Sequence, residues 1–193
     1  MPEKDIVSPD RLLECSFRLG AQVLESGFRP DRIVSIWRGG APVGLAVGEL
    51  LALFGIEADP IPIRAQSYTG IDQREEVRVS SLSALVRRVR RGDRLLIVDD
   101  IFDTGWTVQE VISELSARAG EETPAEIRVA VPWYKPARNQ TAREPDYYLE
   151  TTDRWLCFPH SLSDLTPSEH RRHRPESWSL IGPAAGARSD RGD

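Results

Sequence analysis

The chain has 193 residues, of which 40% are hydrophobic and 28% charged, and its formal net charge is -5. This composition is typical of one globular domain with a sizeable core, and the acidic balance argues against general nucleic-acid binding. Cys15 and Cys157 are far apart in sequence, and there is neither a signal-peptide core nor a run of about 18 apolar residues, so we expect a cytoplasmic protein without a disulfide framework or membrane span.

The first part of the sequence predicts a helix, a strand and a second helix. Residues 9–26 carry apolar side chains at helical spacing between a Ser-Pro start and a glycine stop. Residues 32–37 are mostly apolar and predict a strand, and helical spacing resumes over 43–54. The turn between them reads Arg38-Gly39-Gly40-Ala41-Pro42. Two glycines let a backbone approach a ligand closely, although such a turn alone is weak evidence of a site.

The next stretch predicts one edge of a sheet and an exposed helix. Residues 56–64 resemble a strand with two prolines, which favours an edge or kinked strand. Residues 66–73 are polar and rich in turn formers, which predicts an exposed loop, and a short strand over 76–80 follows. A helix is predicted over 83–91. Its arginines indicate a solvated face, with nucleic-acid or lipid contact as the lesser alternative: Arg87, Arg88, Arg90 and Arg91.

The most informative segment is a strand that ends in a cluster of polar residues. Residues 95–98 are all apolar and predict a strand buried on both sides, and residues 108–115 have helical spacing. The turn between them contains Asp99, Asp100, Asp103, Thr104, Gly105 and Thr107. Because N–H groups at a helix start point outward with partial positive charge, this turn predicts a phosphate cradle. A bound cation or ligand hydroxyls would relieve the repulsion between the adjacent carboxylates.

The last part of the sequence predicts further strands and a polar end. Residues 126–133 predict a buried strand that delivers Lys135 to the sheet edge where the earlier motifs lie. Two short strands are predicted further on, over 147–151 and 155–158. We expect residues 1–165 to form one domain and residues 166–193 to form a polar tail. The alternation of strands and helices predicts an α/β fold, with a mostly parallel twisted sheet and helices on both faces.

The run of apolar strand, Asp-Asp, two apolar residues and Asp-Thr-Gly-x-Thr resembles the PRPP-binding motif of type I phosphoribosyltransferases. PRPP is phosphoribosyl pyrophosphate. The segment from Pro145 to His160, with Trp155-Leu156-Cys157-Phe158-Pro159 at its end, is similar to the base-binding segment of short microbial xanthine/guanine/hypoxanthine phosphoribosyltransferases. The resemblance covers about residues 32–160. It implies a small hood or base-binding subdomain, with residues 66–73 as a hood loop. It also implies transfer of 5-phosphoribosyl from PRPP to a 6-oxopurine, with release of pyrophosphate, in purine salvage.

The resemblance further implies roles for individual residues. Asp103 would be the general base. PRPP would be bound by Arg38, Gly39, Asp99, Asp100, Thr104, Gly105, Trp106 and Thr107. Mg²⁺ would be held by Asp99 and Asp100. The purine base would be bound by Lys135, Trp155 and Leu156. Relatives usually form dimers or tetramers, so the resemblance implies a homo-oligomer.

Two alternatives to this transferase remain open. The same fold serves non-catalytic regulators that sense PRPP or nucleotides, and His160 follows Pro159 near the place where relatives often carry an acidic residue. The second alternative is a transferase for a pyrimidine or another nitrogen base, which the segment at Trp155 disfavours. Lys135 and Trp155 favour the purine enzyme over the regulator.

Overall fold

A computed structural model describes residues 3–69, 75–80 and 82–180. These residues form two compact units. The main unit is Asp10–Asp153, and the terminal unit consists of the described residues of 1–9 and 154–193. None of the helices within the described ranges is both long enough and apolar enough to cross a membrane.

The secondary structure alternates between strands and helices along the chain. The strands are β1 (Lys4–Ile6), β2 (Arg32–Trp37), β3 (Asp59–Thr69), β4 (Glu75–Ser80), β5 (Arg94–Val98), β6 (Ile101–Phe102), β7 (Glu126–Tyr134), β8 (Tyr147–Thr151) and β9 (Trp155–Cys157). The helices are α1 (Pro9–Glu25), α2 (Gly40–Leu53), α3 (Leu82–Arg88), α4 (Trp106–Ala119) and α5 (Pro167–His173). Short 3-10 helices span Gly120–Glu122 and Pro136–Arg138.

The main unit is built on one sheet with the strand order β4-β3-β2-β5-β7-β6, and β8 also pairs with β7. All of these pairs are parallel except β3 with β4. The strands β2, β5 and β7 lie side by side, so the turns that follow them meet at one edge of the sheet. This is the edge at which the sequence predicts the functional residues.

Helices cover both faces of this sheet. Val34 of β2 lies in a buried cluster with Leu85 of α3 and Leu115 of α4. Its neighbour Ile33 lies instead near Gly48 of α2. Because successive strand residues point to opposite faces, α2 covers one face, and α3 and α4 cover the other. The predicted α/β fold is therefore confirmed.

The prediction was wrong at the antiparallel edge of the sheet. β3 continues to Thr69, through part of the predicted loop over 66–73, because its residues pair with β4 as far as Thr69 opposite Glu75. This pairing supplies main-chain hydrogen bonds that outweigh the local preference for turns. The rest of that loop, residues 70–73, lies outside the described residues. α3 ends at Arg88, three residues before the end predicted for this helix.

The terminal unit brings together segments from both ends of the described chain. β1 pairs in parallel with β9, with Asp5 opposite Leu156. α5 begins with a capping box formed by Thr166 and Glu169. The Lys4 Nζ lies 2.8 Å from Glu169 Oε2 and so joins β1 to α5. Neither β1 nor α5 is predicted from the sequence.

One arginine organises the segment that follows β9. The Arg174 guanidinium donates hydrogen bonds of 2.7–3.4 Å to the carbonyl oxygens of Cys157, Phe158, Pro159 and Ser161. Residues 175–180 are also helical. The described part of the expected polar tail thus makes specific contacts within the terminal unit, and residues 181–193 lie outside the described residues.

Candidate active site

Two adjacent carboxylates stand at the end of the central strand β5. Asp100 is 9% exposed, and its N–H donates to Asp99 Oδ1 at 2.9 Å. Burial, and then the nearby Asp100 carboxylate, raise the pKa of Asp99 well above its usual range, although the N–H groups of Asp100 and Gly40 oppose this shift. Two buried carboxylates repel each other when both are ionised, and a bound cation or ligand hydroxyls would relieve this repulsion. Among the described residues, no group of three or more His, Cys, Asp and Glu forms a metal site.

The glycine turn after β2 packs directly against this acidic pair. A Cβ atom on Gly39 would overlap the Asp100 carboxylate. A Cβ on Gly40 would overlap the Val98 carbonyl oxygen and lie 2.9 Å from the Asp99 Cα. The two turns can therefore touch only because neither residue has a side chain. The peptide bond between Trp37 and Arg38 is cis, and the Arg38 side chain is exposed.

The loop over residues 103–107 leads from β6 into α4, and we refer to it as the 103–107 loop. Gly105 has a φ of 85°, in the left-handed region, and directly precedes the first residue of α4. The first N–H groups of the helix have no acceptor within it and point away from it. Thr104 and Thr107 are half-buried and Trp106 is 40% exposed. This arrangement of N–H groups and hydroxyls can bind a phosphate.

Asp103 contacts two cationic side chains from the end of β7. Lys135 is 2% exposed, and its Nζ lies 3.3 Å from Asp103 Oδ2. Arg138 Nε lies 2.7 Å from Asp103 Oδ1. Within the described residues this oxygen nevertheless accepts no hydrogen bond. The Arg138 contact is therefore an ion pair whose angles do not suit a hydrogen bond. Sequence reasoning did not identify Arg138, because it lies in a polar turn that resembles any exposed loop.

The structure brings most of the predicted site residues to one edge of the main-unit sheet. Those that follow β2, β5, β6 and β7 are Arg38, Gly39, Asp99, Asp100, Asp103, Thr104, Gly105, Trp106, Thr107 and Lys135. The other two predicted residues belong to the terminal unit: Trp155 is 42% exposed and Leu156 is buried in β9. His160, which follows Pro159, stacks on Phe158.

Known proteins share this architecture. The phosphoribosyl transferase domain family matches residues 11–164. A purine phosphoribosyltransferase from Pyrococcus horikoshii is similar in structure, with 25% identity and a TM-score of 0.66 over 84% of this chain and 97% of that one. A hypothetical protein from Neisseria gonorrhoeae with bound ppGpp has 22% identity and a TM-score of 0.67, over 92% and 98% of the two chains.

A third similar structure is the Helicobacter pylori xanthine-guanine-hypoxanthine phosphoribosyltransferase, with 20% identity and a TM-score of 0.61 over 81% of this chain and 92% of that one. No match was found among curated proteins. The family match covers most of the chain, including the glycine turn, the acidic pair and the 103–107 loop. The chain therefore belongs to the phosphoribosyltransferase family, with the type I fold.

Proposed function

We propose that the protein is a Mg²⁺-dependent purine phosphoribosyltransferase that transfers 5-phosphoribosyl from PRPP to a 6-oxopurine. The observation that carries this proposal is the packing of the Gly39 turn against Asp100. At the same edge of the sheet, the left-handed Gly105 directly precedes α4. The Gly39 turn and the 103–107 loop offer N–H groups at this edge, and Asp99 and Asp100 offer carboxylates there. PRPP carries a phosphate at one end of its ribose and a pyrophosphate at the other, so each end can bind to one set of N–H groups.

In this proposal each turn binds one end of PRPP. The N–H groups of Gly105, Trp106 and Thr107 and the hydroxyls of Thr104 and Thr107 bind the 5-phosphate. Arg38 and the Gly39 N–H bind the pyrophosphate. Asp99 and Asp100 bind the ribose hydroxyls between them. Fixing both ends of the sugar holds its C1 in line with the incoming base, so that much of the entropic cost of reaction is met on binding.

The acidic pair is also the place for Mg²⁺ in this proposal. Carboxylate oxygens are the ligands Mg²⁺ uses, commonly one or two of them with substrate oxygens completing the shell. The raised pKa of Asp99, caused by burial and by Asp100, fits a site that binds a cation together with substrate. When bound there, Mg²⁺ supplies neutralisation of the charge that develops on the leaving pyrophosphate.

Asp103 and Lys135 act on the base in this proposal. The bond from C1 to the pyrophosphate oxygen breaks, the bond from C1 to the ring nitrogen forms, and Asp103 takes the proton from that nitrogen. Lys135 donates to the exocyclic oxygen of the purine. Its 3.3 Å contact with Asp103 is long for a charge-assisted hydrogen bond, so a purine oxygen can compete for Lys135. The similar Pyrococcus and Helicobacter proteins are named for purine substrates, which supports the same base class here.

The proposal is tested by measuring pyrophosphate release from Mg²⁺–PRPP with hypoxanthine, guanine, xanthine, adenine and uracil in parallel. We expect release with at least one 6-oxopurine and none with uracil. A double variant, Asp99→Ala with Asp100→Ala, should abolish the release. The matched control replaces Glu121 and Glu122 by alanine, because they are also adjacent carboxylates but are exposed at the far end of α4. Wild-type protein that releases no pyrophosphate with any base would refute the proposal.

The second candidate is a non-catalytic sensor of nucleotides. Its specific support is the Neisseria protein, whose structure contains bound ppGpp, a guanine nucleotide with two pyrophosphate groups. A sensor would bind ppGpp or PRPP at the same two turns without turnover. Calorimetric titration with ppGpp, alongside the assay above, separates the candidates: tight binding without release of pyrophosphate from any base favours the sensor.

A further inference from the structure

Residues 139–141, which follow β7, contact the 103–107 loop. The Gln140 N–H donates to the Thr104 carbonyl at 2.9 Å, and the Gln140 Oε1 accepts from Trp106 Nε1 at 3.0 Å. Gln140 therefore binds both neighbours of Gly105, one through its backbone and the other through its side chain. The start of α4 is thus tied to the chain that follows Lys135.

Asn139 fixes the shape of this segment. Its Oδ1 accepts from the N–H of Thr141 at 2.9 Å and from the Thr141 hydroxyl at 3.0 Å. Its Nδ2 donates to the Arg143 carbonyl at 2.9 Å and to the Tyr134 hydroxyl at 3.2 Å. Both lone pairs and both N–H bonds of the amide are therefore engaged. The bond to the N–H two residues on closes an Asx turn, and the bond to Tyr134 anchors that turn to β7.

The same side chains fill the space behind Gly105. A Cβ atom at Gly105 would lie 2.5 Å from Thr141 Oγ1 and 2.9 Å from Asn139 Oδ1. The backbone at Gly105 is consequently in close contact with Asn139 and Thr141, and it cannot shift toward them. The position of the first N–H groups of α4 is limited on this side by Asn139.

We propose that Asn139 is a positioning residue for the 5-phosphate, acting through Gly105 and Gln140 without touching the ligand. This inference rests on the proposed function, because it assigns a task to the loop that binds the 5-phosphate there. Helix N–H groups bind an anion well only when they are held in the right directions. Loss of Asn139 should therefore weaken binding of the 5-phosphate and leave binding of pyrophosphate at Arg38 and Gly39 intact.

Asn139 is the only asparagine in the chain, which permits a direct test. Labelling with ¹⁵N-asparagine gives one backbone N–H signal and one pair of side-chain NH₂ signals in a ¹H–¹⁵N NMR spectrum. Ribose 5-phosphate and Mg²⁺-pyrophosphate are the two probes. We expect ribose 5-phosphate to shift the Asn139 side-chain signal of the wild type and pyrophosphate to leave it unchanged.

Variants then separate positioning from general stability. Asn139→Ala should weaken ribose 5-phosphate binding about tenfold, and pyrophosphate binding should stay within about twofold of wild type. Asn139→Asp keeps the acceptor for Thr141, but it loses both donated bonds and places a carboxylate oxygen against the Arg143 carbonyl. Its loss of ribose 5-phosphate affinity should therefore be at least as large as that of Asn139→Ala. The matched control is Gln22→Ala, which removes an exposed amide side chain from α1; it should change neither affinity.

Each outcome decides the inference. Selective loss of ribose 5-phosphate binding supports it, whereas unchanged binding, or an equal loss of both ligands, overturns it. If Asn139→Ala does not fold, Gln140→Leu, which removes the acceptor for Trp106, should lower ribose 5-phosphate affinity about threefold. The matched Gln22→Leu, at an exposed position of α1, should not lower it. Wild-type protein that binds neither probe would refute the proposed function, and the inference would fall with it; binding by the wild type with no effect of these variants would refute the inference alone.

Discussion

The close contact between the Gly39 turn and Asp100 can be tested by adding a single methyl group. Gly39 has φ -65° and ψ -38°, which alanine adopts without strain. Any cost of Gly39→Ala must therefore come from lack of space. The new Cβ would overlap the carboxylate, and even the farther oxygen, Asp100 Oδ1, would be 2.5 Å away. That is roughly 1 Å inside the optimal separation of two such atoms.

The expected magnitude follows from this overlap. Forcing a methyl group into a filled site costs about 1–3 kcal/mol, because neighbouring groups must move. The matched control is Gly48→Ala within α2, the helix that Gly39 precedes, where the nearest heavy atom to the added Cβ is Ile33 Cδ1 at 3.7 Å. Replacing this helical glycine should stabilise the protein by about 0.5–1 kcal/mol. The two substitutions are chemically identical and should have effects of opposite sign.

Two assays check the prediction. Denaturant unfolding gives the free energy of unfolding of each variant, and calorimetry gives its affinity for Mg²⁺-pyrophosphate. For Gly39→Ala we expect the affinity to fall about tenfold, equivalent to ~1.4 kcal/mol, because Asp100 is displaced and the turn moves. Wild-type stability and affinity in Gly39→Ala would contradict the reasoning, since the Asp100 carboxylate would then have moved aside without cost. Unchanged affinity is expected for Gly48→Ala.

Three further predictions concern the proposed base and the terminal unit. Asp103→Asn should lower turnover about 10²–10⁴-fold and leave the KM for PRPP within about threefold of wild type, as steady-state kinetics would show. The Lys4 ammonium and then the N–H and hydroxyl of Thr166 lower the pKa of Glu169 to about 2. The ionised Glu169 carboxylate should therefore contribute fully to stability above pH 4.5, and this contribution should be lost as the pH falls through about 2. A ¹³C titration should show that pKa and its rise in Lys4→Met. Arg174→Met should lower the free energy of unfolding by about 1–3 kcal/mol, against less than about 0.5 kcal/mol for the exposed Arg172→Met.

The sequence predicted those parts of the fold whose signals are local. The strands β2, β5 and β7 are apolar runs, and α2 and α4 follow glycine turns with apolar residues at helical spacing. Glycine, aspartate and threonine placed between such elements identify the turns that carry the candidate site. These signals lie within about ten neighbouring residues, so they can be read without knowledge of the tertiary structure.

The features that were missed depend on partners remote in sequence. β1 exists because β9 pairs with it, and β3 extends to Thr69 because β4 continues the ladder. α5 is linked to β1 by Lys4, which lies more than 160 residues earlier in the chain. Asn139 is a similar case, because the residues around it have the composition of an ordinary polar turn. Its contact with Gly105 forms only in the folded chain. Such contacts cannot be predicted from local sequence patterns.

The candidate site is formed largely by main-chain groups, and this explains which residues its chemistry needs most. At Gly39, Gly40 and Gly105 a side chain would collide with Asp100, with the Val98 carbonyl or with Thr141. The backbone at these positions can pack this closely only because the residues are glycines, and this packing fixes the directions of the N–H groups that can bind an anion. A threonine hydroxyl adds one hydrogen bond to such a site, whereas a methyl group at one of these glycines moves several N–H groups at once. Loss of the glycines should consequently be more damaging than loss of Thr104 or Thr107.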